Sequence, residues 1–473
     1  MASYDIAIIG AGSAGLTAAR FGTRLGARVA LIEANRVGGD CTWTGCVPSK
    51  ALLHAAKVAH TVRNASRYGI TAKDQHIDFG AVMGRVKGAV DEVYAQESPE
   101  TLRAEGVDVL EGRAKFQDAR TLAVGNQEVS ARCFLICTGA TPFVPPIPEL
   151  EDTPYLTYET FWDLAALPDR LVVIGGGPIG CELAQACQRL GSRVTLVEAA
   201  DRLLPNDEPE AGQAVAQALR RDGICLRLAS PVESVGRSGH GPGVLVSAGG
   251  ESIKGDAVLV AVGRRARVDG LGLERAGVEH SPRGIAVDDY LRTSAKHIYA
   301  AGDCAGGFQF THYAGFQGAM AVRNMLLPGR SRARPQHPPW ATFTDPEVAH
   351  AGYTEEQARQ RFGDKARVSM LPMAHVDRAV TEDATEGFIK VVRRSNGETL
   401  GATVVGQRAA ETLQAWTLAG DNGLKMADVA RTMQAYPSLA TGNQQLAWDA
   451  YLDGLTTGFT GKVVRWFAGS GRS

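Results

Sequence analysis

Two cysteines five residues apart, Cys41 and Cys46, have the spacing and surroundings of a redox pair. Positions five apart on an ideal helix point about 140° away from each other, whereas a disulfide needs Cα atoms within roughly 7 Å. We therefore expect an irregular turn at Gly45 that leads into a helix, with Pro48 in its first turn. Cys46 would then lie at the positive end of this helix and Lys50 one turn further in, and both influences favour the thiolate form.

The pair has two other interpretations. The cysteines could be unrelated and buried, as we assume for the others in the chain: Cys133, Cys137, Cys181, Cys187, Cys225 and Cys304. They could also bind zinc, although no second pair of Cys or His stands at the spacing of a zinc finger. Eight cysteines in 473 residues do not form the disulfide framework of a small secreted protein. We favour a redox pair and predict no protein-bound metal.

The segment before the pair predicts the element that positions it. Residues 6–9 are an apolar run typical of a buried parallel strand. Gly10, Gly12 and Gly15 follow, then a helical pattern and a second strand that ends in Glu33. The glycines allow close approach of a pyrophosphate to a helix N-terminus, and the acid holds ribose hydroxyls. The segment therefore predicts a dinucleotide site.

The same pattern occurs a second time. Residues 171–174 form a strand that leads into the glycines Gly175, Gly177 and Gly180, a helix and another strand that ends in Glu198. In both copies the acid lies 23 residues after the first glycine. Two complete patterns imply two dinucleotides, most simply FAD and a nicotinamide dinucleotide.

The residues around the second acid bear on the choice of nicotinamide cofactor. Glu198, with no basic residue immediately after it, favours the free ribose of NADH over the phosphorylated ribose of NADPH. Arg202 lies close enough to weaken that preference, so NADPH stays possible.

The composition excludes several classes of function. The chain has 473 residues, enough for about three domains at roughly 150 residues each. Its 50 basic and 51 acidic residues leave a net charge of −1, so the chain has no electrostatic footprint for nucleic acid. No stretch approaches the roughly 20 apolar residues of a membrane span, and the first residues contain no export signal. We therefore expect a cytoplasmic protein.

With these motifs the chain resembles the flavin-dependent pyridine nucleotide–disulfide oxidoreductases, the family of dihydrolipoyl dehydrogenase, glutathione reductase and mercuric reductase. The resemblance covers essentially the whole chain. Besides the cysteine motif, it rests on residues 136–142, 260–265, 298–303 and 340–347.

The resemblance implies an α/β fold with two Rossmann-like dinucleotide-binding domains, for FAD and NAD(P), and a C-terminal α+β dimerisation domain. It places a first FAD-binding segment at residues 1–148, the NAD(P)-binding domain at 149–270, a second FAD segment at 271–338 and the dimerisation domain at 339–473. It also implies a homodimer.

The resemblance further assigns roles to single residues. Cys41 is the outer, interchange sulfur and Cys46 the inner sulfur in charge-transfer contact with the flavin, while Lys50 pairs with Glu182 beside flavin N5. Asp303 reaches the ribityl or pyrophosphate region. The remaining cofactor-binding residues are Gly39, Thr138, Gly139, Gly263 and Arg264.

The chain departs from this family near its C-terminus. Disulfide reductases of the family use a His-Pro and a later Glu from the partner subunit as the acid and base, but here Tyr436 and Thr441 stand at those positions. A phenol with an ordinary pKa near 10 is a poor base at neutral pH, so turnover of lipoamide or glutathione disulfides should be slow. Tyr436 either packs at the dimer interface or acts as a weak acid or a ligand for a soft electrophile held at Cys41.

Loss of that dyad is a feature of mercuric reductases, because a metal ion needs thiolates and electrons rather than a proton. Hg(II) prefers soft sulfur ligands. We therefore expect an enzyme that passes electrons from NADH through the flavin and the Cys41–Cys46 disulfide to a soft metal ion. The chain has no cysteine after Cys304 that could deliver mercury, so another metal ion, a quinone or a disulfide stays open as the acceptor. The alternative is a dihydrolipoyl dehydrogenase-like dithiol/disulfide oxidoreductase.

Overall fold

A computed structural model describes residues 2–72, 76–238, 243–335, 337–456, 463 and 466–468. The chain divides into two compact units. The first comprises Met1–Gly175, Ala186–Thr195 and Val232–Gln336. The second comprises Gly176–Gln185, Leu196–Pro231 and His337–Ser473.

Helices and strands are interspersed along the described part of the chain. The helices are α1 Ser13–Arg24, α2 Gly39–Trp43, α3 Cys46–Arg63, α4 Phe79–Tyr94, α5 Pro99–Ala104, α6 Pro178–Leu190, α7 Pro209–Arg221, α8 Thr311–Leu326, α9 Glu355–Phe362, α10 Asp377–Thr381, α11 Ala409–Asp421, α12 Met426–Arg431 and α13 Thr441–Thr456. The strands are β1 Ala2–Ile9, β2 Val29–Glu33, β3 Asp108–Glu111, β4 Ala114–Phe116, β5 Thr121–Val124, β6 Gln127–Ile136, β7 Ala140–Pro142, β8 Arg170–Ile174, β9 Arg193–Val197, β10 Cys225–Arg227, β11 Val232–Arg237, β12 Val244–Ala248, β13 Glu251–Gly255, β14 Ala257–Val260, β15 Arg264–Ala266, β16 His280–Ser281, β17 Gly284–Ile285, β18 Ile298–Ala300, β19 Trp340–Thr342, β20 Glu347–Gly352, β21 Ala366–Pro372, β22 Phe388–Arg394 and β23 Thr399–Gly406.

A seven-stranded sheet organises the first unit. Its order is β3–β2–β1–β6–β5–β4, with β18 also beside β6. The strands β3, β2, β1, β6 and β18 pair in parallel, and β4, β5 and β6 pair antiparallel. The carboxyl ends of the parallel strands therefore meet along one edge, where the first glycine motif follows β1.

The residues of β1 are buried on both faces of this sheet, as the apolar run predicts. Ile6 and Ile8 share a core with the apolar side chains of α1 and α8, which pack on each other. Ala7 and Ile9 point to the opposite face and pack in a core with Phe134. Two buried faces explain why the strand is continuously apolar rather than alternating.

The first unit also contains two smaller strand pairings. Strand β8, which precedes it, pairs in parallel with β14, with Leu171 opposite Ala257. Strand β15 pairs antiparallel with β7, with Arg264 opposite Pro142.

The second unit contains an antiparallel five-stranded sheet in the order β19–β20–β23–β22–β21. Residues of α11, α12 and α13 share a core with this sheet. The indole of Trp416 in α11 donates to Asn443 Oδ1 in α13 at 2.7 Å, and Asn443 Nδ2 donates to the Thr412 carbonyl at 2.8 Å. These bonds hold α11 and α13 together.

The sheets and helices of the two units confirm the predicted α/β class of the chain with a C-terminal α+β part.

A buried lysine forms the centre of an ion cluster in the second unit. Lys390 Nζ on β22 lies 3.1 Å from Glu208 Oε2, 2.9 Å from Glu210 Oε1 and 2.9 Å from Glu355 Oε2. The side chains of Lys390 and Glu208 are each only 2% exposed. Burial alone would lower the pKa of Lys390, but its hydrogen bonds to the three carboxylates raise it above the ordinary value. The lysine therefore stays charged and connects α7, α9 and β22.

Candidate active site

The two cysteines of the predicted redox pair lie side by side in the first unit. Cys41 lies in the short helix α2, and α3 begins at Cys46 after a turn at Thr44 and Gly45, as expected. A Cβ at Gly45 would lie 2.8 Å from the Asp40 carbonyl oxygen, so glycine is required there. The two residues are thiols whose sulfurs hydrogen bond to each other.

The two sulfurs differ in their surroundings. Cys46 is exposed, whereas Cys41 is half-buried. The hydrogen bond to Cys46 and burial together raise the pKa of Cys41, and a hydrogen bond to Thr311 opposes this rise. Thr311 Oγ1, at the start of α8, also lies 3.2 Å from Cys46 Sγ. Thr311 stands 265 residues from Cys46, so no local spacing in the sequence marks it as part of the site.

The first glycine motif forms a cradle of bare backbone beside the pair. Gly10 has φ +102°, and a Cβ there would lie 2.4 Å from the Cys137 carbonyl oxygen. A Cβ at Gly39 would lie 2.7 Å from the Gly12 Cα. A Cβ at Gly15 would lie 1.9 Å from the Gly10 carbonyl oxygen. The loop of the first motif thus packs directly on the loop of the cysteines.

The second glycine motif repeats this geometry. Gly175 has φ +113°, and a Cβ there would lie 2.4 Å from the Ala261 carbonyl oxygen. A Cβ at Gly177 would meet no atom within 4 Å. Gly180 lies in the first turn of α6. Open backbone at the start of a helix of this length fits the pyrophosphate of a dinucleotide in both copies.

The acids at the strand ends are also placed alike. Glu33 accepts from the backbone N–H of Ala11 at 2.7 Å and of Asn35 at 2.8 Å. Glu198 accepts from the backbone N–H of Gly176 at 2.5 Å and of Ala200 at 2.7 Å. Each carboxylate is therefore held against its glycine loop, at the place where the sequence predicts a ribose.

Arg264 connects the cysteine loop to Asp303, which the resemblance assigns to the flavin. Its guanidinium lies 2.5 Å from Asp40 Oδ2 and 2.7 Å from Asp303 Oδ2, and Nε donates to the Tyr158 hydroxyl at 3.2 Å. Burial raises the pKa of Asp303, and Arg264 opposes this rise. The Arg264 guanidinium thus forms ion pairs with the carboxylates of both Asp40 and Asp303.

A second tether holds the cysteine loop in place. The Tyr158 hydroxyl donates to Asp40 Oδ2 at 3.3 Å, and the Trp162 indole donates to the Thr44 carbonyl at 2.9 Å. The sequence analysis missed Asp40, Tyr158 and Trp162, because nothing in their local pattern marks them.

Thr138, Gly139 and Gly263 are further residues that the resemblance assigns to cofactor binding. Thr138 Oγ1 donates to the Arg267 carbonyl at 2.6 Å. The next residue, Gly139, has φ +70°, and Gly263 has φ +131°, both with open space where a Cβ would be.

The expected pair of Lys50 and Glu182 is divided between the two units and stays a prediction. Glu182 is buried and accepts from the Phe343 backbone N–H at 2.8 Å. Lys50 is half-buried in α3.

Tyr436 lies on the surface of the second unit, with 73% of the residue exposed. Its hydroxyl donates to Asp377 Oδ2 at 3.0 Å, a contact that the sequence analysis did not anticipate.

Neither a metal-binding cluster nor a membrane-spanning helix is found among the described residues. No group of three or more His, Cys, Asp or Glu side chains there could hold a metal ion. Among the helices formed by those residues, none has both the length and the apolar character that crossing a membrane requires.

Comparison with known proteins identifies the family. Residues 4–318 match the pyridine nucleotide-disulphide oxidoreductase model, and residues 338–447 match the dimerisation domain of the same family. The chain therefore belongs to the pyridine nucleotide-disulphide oxidoreductases and is an enzyme of that family, as the sequence motifs predict. Members of this family use FAD and NAD(P)H, and the open backbone of the two glycine loops fits them.

Two relatives and one solved structure show which kinds of family member the chain is similar to. The chain is 36% identical to a mercuric reductase of Bacillus cereus over 443 residues, which are 93% of this chain and 70% of the relative. It is 36% identical to a dihydrolipoyl dehydrogenase of Thermus scotoductus over 460 residues, 94% of this chain and 97% of the relative. Among solved structures, the Cu(II) complex of the HOCl-induced flavoprotein disulfide reductase RclA from Escherichia coli is 31% identical with a TM-score of 0.83, covering 95% of this chain and 99% of that one. The predicted likeness to mercuric reductases is confirmed.

Proposed function

We propose that the chain is an FAD-dependent NAD(P)H oxidoreductase that passes electrons through Cys41 and Cys46 to a soft metal ion such as Hg(II). Bound FAD supplies the two-electron link between the nicotinamide and the sulfurs. The Cys41–Cys46 disulfide takes up two electrons and two protons and becomes a dithiol. The dithiol releases two protons as it binds the metal ion in the dithiolate form, and transfer of two electrons to the ion re-forms the disulfide.

The observation that carries this proposal is the contact between the two sulfurs, one half-buried and one exposed. Two adjacent sulfurs that reach solvent are the ligands that a soft metal ion prefers. The names of two relatives agree: a mercuric reductase, and a flavoprotein disulfide reductase solved as a Cu(II) complex. The Tyr436 phenol at the position of the usual histidine disfavours a proton-dependent disulfide substrate.

The family pattern supports roles for the other residues of the reaction. We propose that Lys50 pairs with Glu182 beside the flavin, that Asp303 and the glycine loops hold FAD, and that residues 149–270 form the nicotinamide domain. On the same pattern, residues 1–148 and 271–338 form the FAD domain and residues 339–473 the dimerisation domain. The enzyme acts as a cytoplasmic homodimer in which Tyr436 approaches Cys41 of the other subunit.

NADH is the proposed nicotinamide substrate. Glu198, held by backbone donors at the end of β9, presents a carboxylate where the ribose would bind, and a 2′-phosphate there would be repelled. We expect Glu198→Gln to lower the ratio of kcat/KM for NADH to kcat/KM for NADPH. A ratio unchanged from that of the wild type would remove Glu198 from the proposal.

The test of the redox pair is spectroscopic. The enzyme reduced by two electrons should show a broad thiolate–flavin charge-transfer band, and Cys46→Ser should lack it. Cys225→Ser is the matched control, because Cys225 is also exposed but lies in β10 of the second unit. A flavin-loaded wild type without this band would overturn the mechanism.

The test of the acceptor is steady-state NADH oxidation against Hg(II), Cu(II), lipoamide, glutathione disulfide, a quinone and oxygen. We expect the highest kcat/KM with a metal ion. A dihydrolipoyl dehydrogenase-like function is the second candidate, favoured by the relative from Thermus scotoductus that the chain matches over nearly its full length. Reoxidation by lipoamide faster than by Hg(II) would favour this candidate.

A further inference from the structure

Tyr436 does not stand alone at the surface of the second unit. Its hydroxyl donates to Oδ2 of Asp377, the first residue of α10, at 3.0 Å. The two residues are 59 positions apart, so their contact depends on the fold rather than on a local motif. It is a phenol–carboxylate pair.

The position that the family gives to a glutamate is used differently in this chain. Thr441 Oγ1 donates to the Ser438 carbonyl at 2.5 Å, and Thr441 begins α13. Its hydroxyl therefore closes a local turn. The acceptor for Tyr436 comes instead from Asp377.

The charges around the pair are arranged so that nearby cations are already matched. Arg378, next to Asp377, forms an ion pair with Glu382. Arg408 Nη2 also lies 3.0 Å from Glu382 Oε1. Glu382 thus pairs with both guanidinium groups, while Asp377 Oδ2 accepts from the phenol.

This pairing dictates what Tyr436 can offer to a substrate. A phenol has one proton, and in this pair that proton is donated to Asp377, so the oxygen keeps only its lone pairs for a partner. A leaving thiolate from a disulfide would need a proton, whereas a metal cation needs only an electron-pair donor.

We infer that Asp377 is a positioning residue that orients Tyr436 as a neutral oxygen donor toward a cationic acceptor. The inference rests on the proposed function, because it takes the metal ion held at the cysteine pair as the acceptor. It identifies the acceptor as a metal cation rather than a disulfide, since the oriented phenol supplies lone pairs and no proton.

The kinetic test uses single and double variants of the full-length dimer loaded with FAD. With Hg(II) as the acceptor, Asp377→Ala and Tyr436→Phe should each raise KM about three- to tenfold, the contribution of one hydrogen bond, with little change in kcat. Asp377→Glu should restore KM in part. The double variant should match Tyr436→Phe alone, because Asp377 acts only through the phenol.

A second measurement reports on the pair without turnover. The fluorine NMR spectrum of enzyme labelled with 3-fluorotyrosine is followed as Hg(II) is added, with Tyr436→Phe to assign the signal. In the wild type the Tyr436 signal should shift as Hg(II) binds, and in Asp377→Ala the same shift should need about three- to tenfold more Hg(II). An unchanged response in Asp377→Ala, or an unchanged KM in both single variants of an enzyme that is active with Hg(II), would overturn the inference alone. A wild type that fails to oxidise NADH with any metal ion, yet shows the charge-transfer band, would overturn the proposed acceptor and the inference with it.

Discussion

Replacement of Thr311 by valine removes the hydroxyl that lies 3.2 Å from Cys46 Sγ but keeps the branched shape of the side chain. A hydrogen bond to a charged group contributes about 1.5–3 kcal/mol. Because Cys46 is exposed, water replaces part of this interaction, and we expect the lower end of the range. A loss of about 1.5 kcal/mol lowers the thiolate fraction of the pair roughly tenfold at a fixed pH below its titration.

The rate of alkylation should fall less than the thiolate fraction, because a less acidic thiol is a stronger nucleophile. With a Brønsted coefficient of about 0.4–0.5, tenfold less thiolate reacts roughly threefold more slowly. The assay is alkylation of the reduced enzyme by iodoacetamide between about pH 5 and 9 in the Cys41→Ser background, in which Cys46 alone of the pair reports.

Thr311→Ser is the matched control, since it keeps the hydroxyl and should follow the parent enzyme. For Thr311→Val, the midpoint of the pH–rate profile should move to higher pH. Superimposable profiles for Thr311→Val and its parent would refute the argument that this hydroxyl stabilises the thiolate.

Three further predictions concern stability. Arg264→Met leaves two carboxylates without their cation, so the free energy of unfolding measured in urea should fall by about 3–5 kcal/mol. Adding Asp40→Asn should recover part of this loss, and no recovery would contradict the shared ion pair. Lys390→Met should lower the free energy of unfolding by a similar amount, about 3–5 kcal/mol, because its ion pair is buried. Arg221→Met, whose ion pair is exposed, should lower it by at most about 1 kcal/mol. Equal losses in the two variants would show that burial does not strengthen the contribution of Lys390. Burial lowers the pKa of His350 to about 4, so the native state binds fewer protons than the unfolded state between about pH 6.5 and 4, and the free energy of unfolding should fall as the pH drops through this window. His350→Gln should flatten that slope, and an unchanged slope would assign it to other groups.

The two cofactor loops could be predicted from the sequence because their constraints are local. At Gly10 and Gly175, a Cβ would lie 2.4 Å from the carbonyl oxygen of a neighbouring strand's end, so only glycine fits. The acids Glu33 and Glu198 then fall at the end of the following strand, at a distance set by one helix and one strand. A pattern of this kind repeats wherever the same local geometry is needed, and the chain uses it twice.

The side chains that surround the sulfurs could not be predicted in this way. Thr311 is 265 residues from Cys46, and Arg264 is 224 residues from Asp40. A threonine at the start of a helix, or an aspartate beside a cysteine, satisfies many local environments equally well. Only the folded sheet of the first unit brings these segments to one place, so their contacts carry no signature in spacing or composition.

Cofactor binding can likewise be predicted from local constraints, whereas the identity of the acceptor cannot. In the proposed function, cofactor binding depends on backbone such as that of Gly10 and Gly175, where a Cβ would clash, whereas the choice of acceptor depends on exposed polar groups such as Tyr436 and Asp377. Exposed groups can change without loss of the fold, so relatives that keep the glycine loops can differ in the substance they reduce. It follows that substitutions at Tyr436 should alter the choice of acceptor while leaving the rate at which NADH reduces the enzyme unchanged, because Tyr436 has no proposed part in binding either dinucleotide.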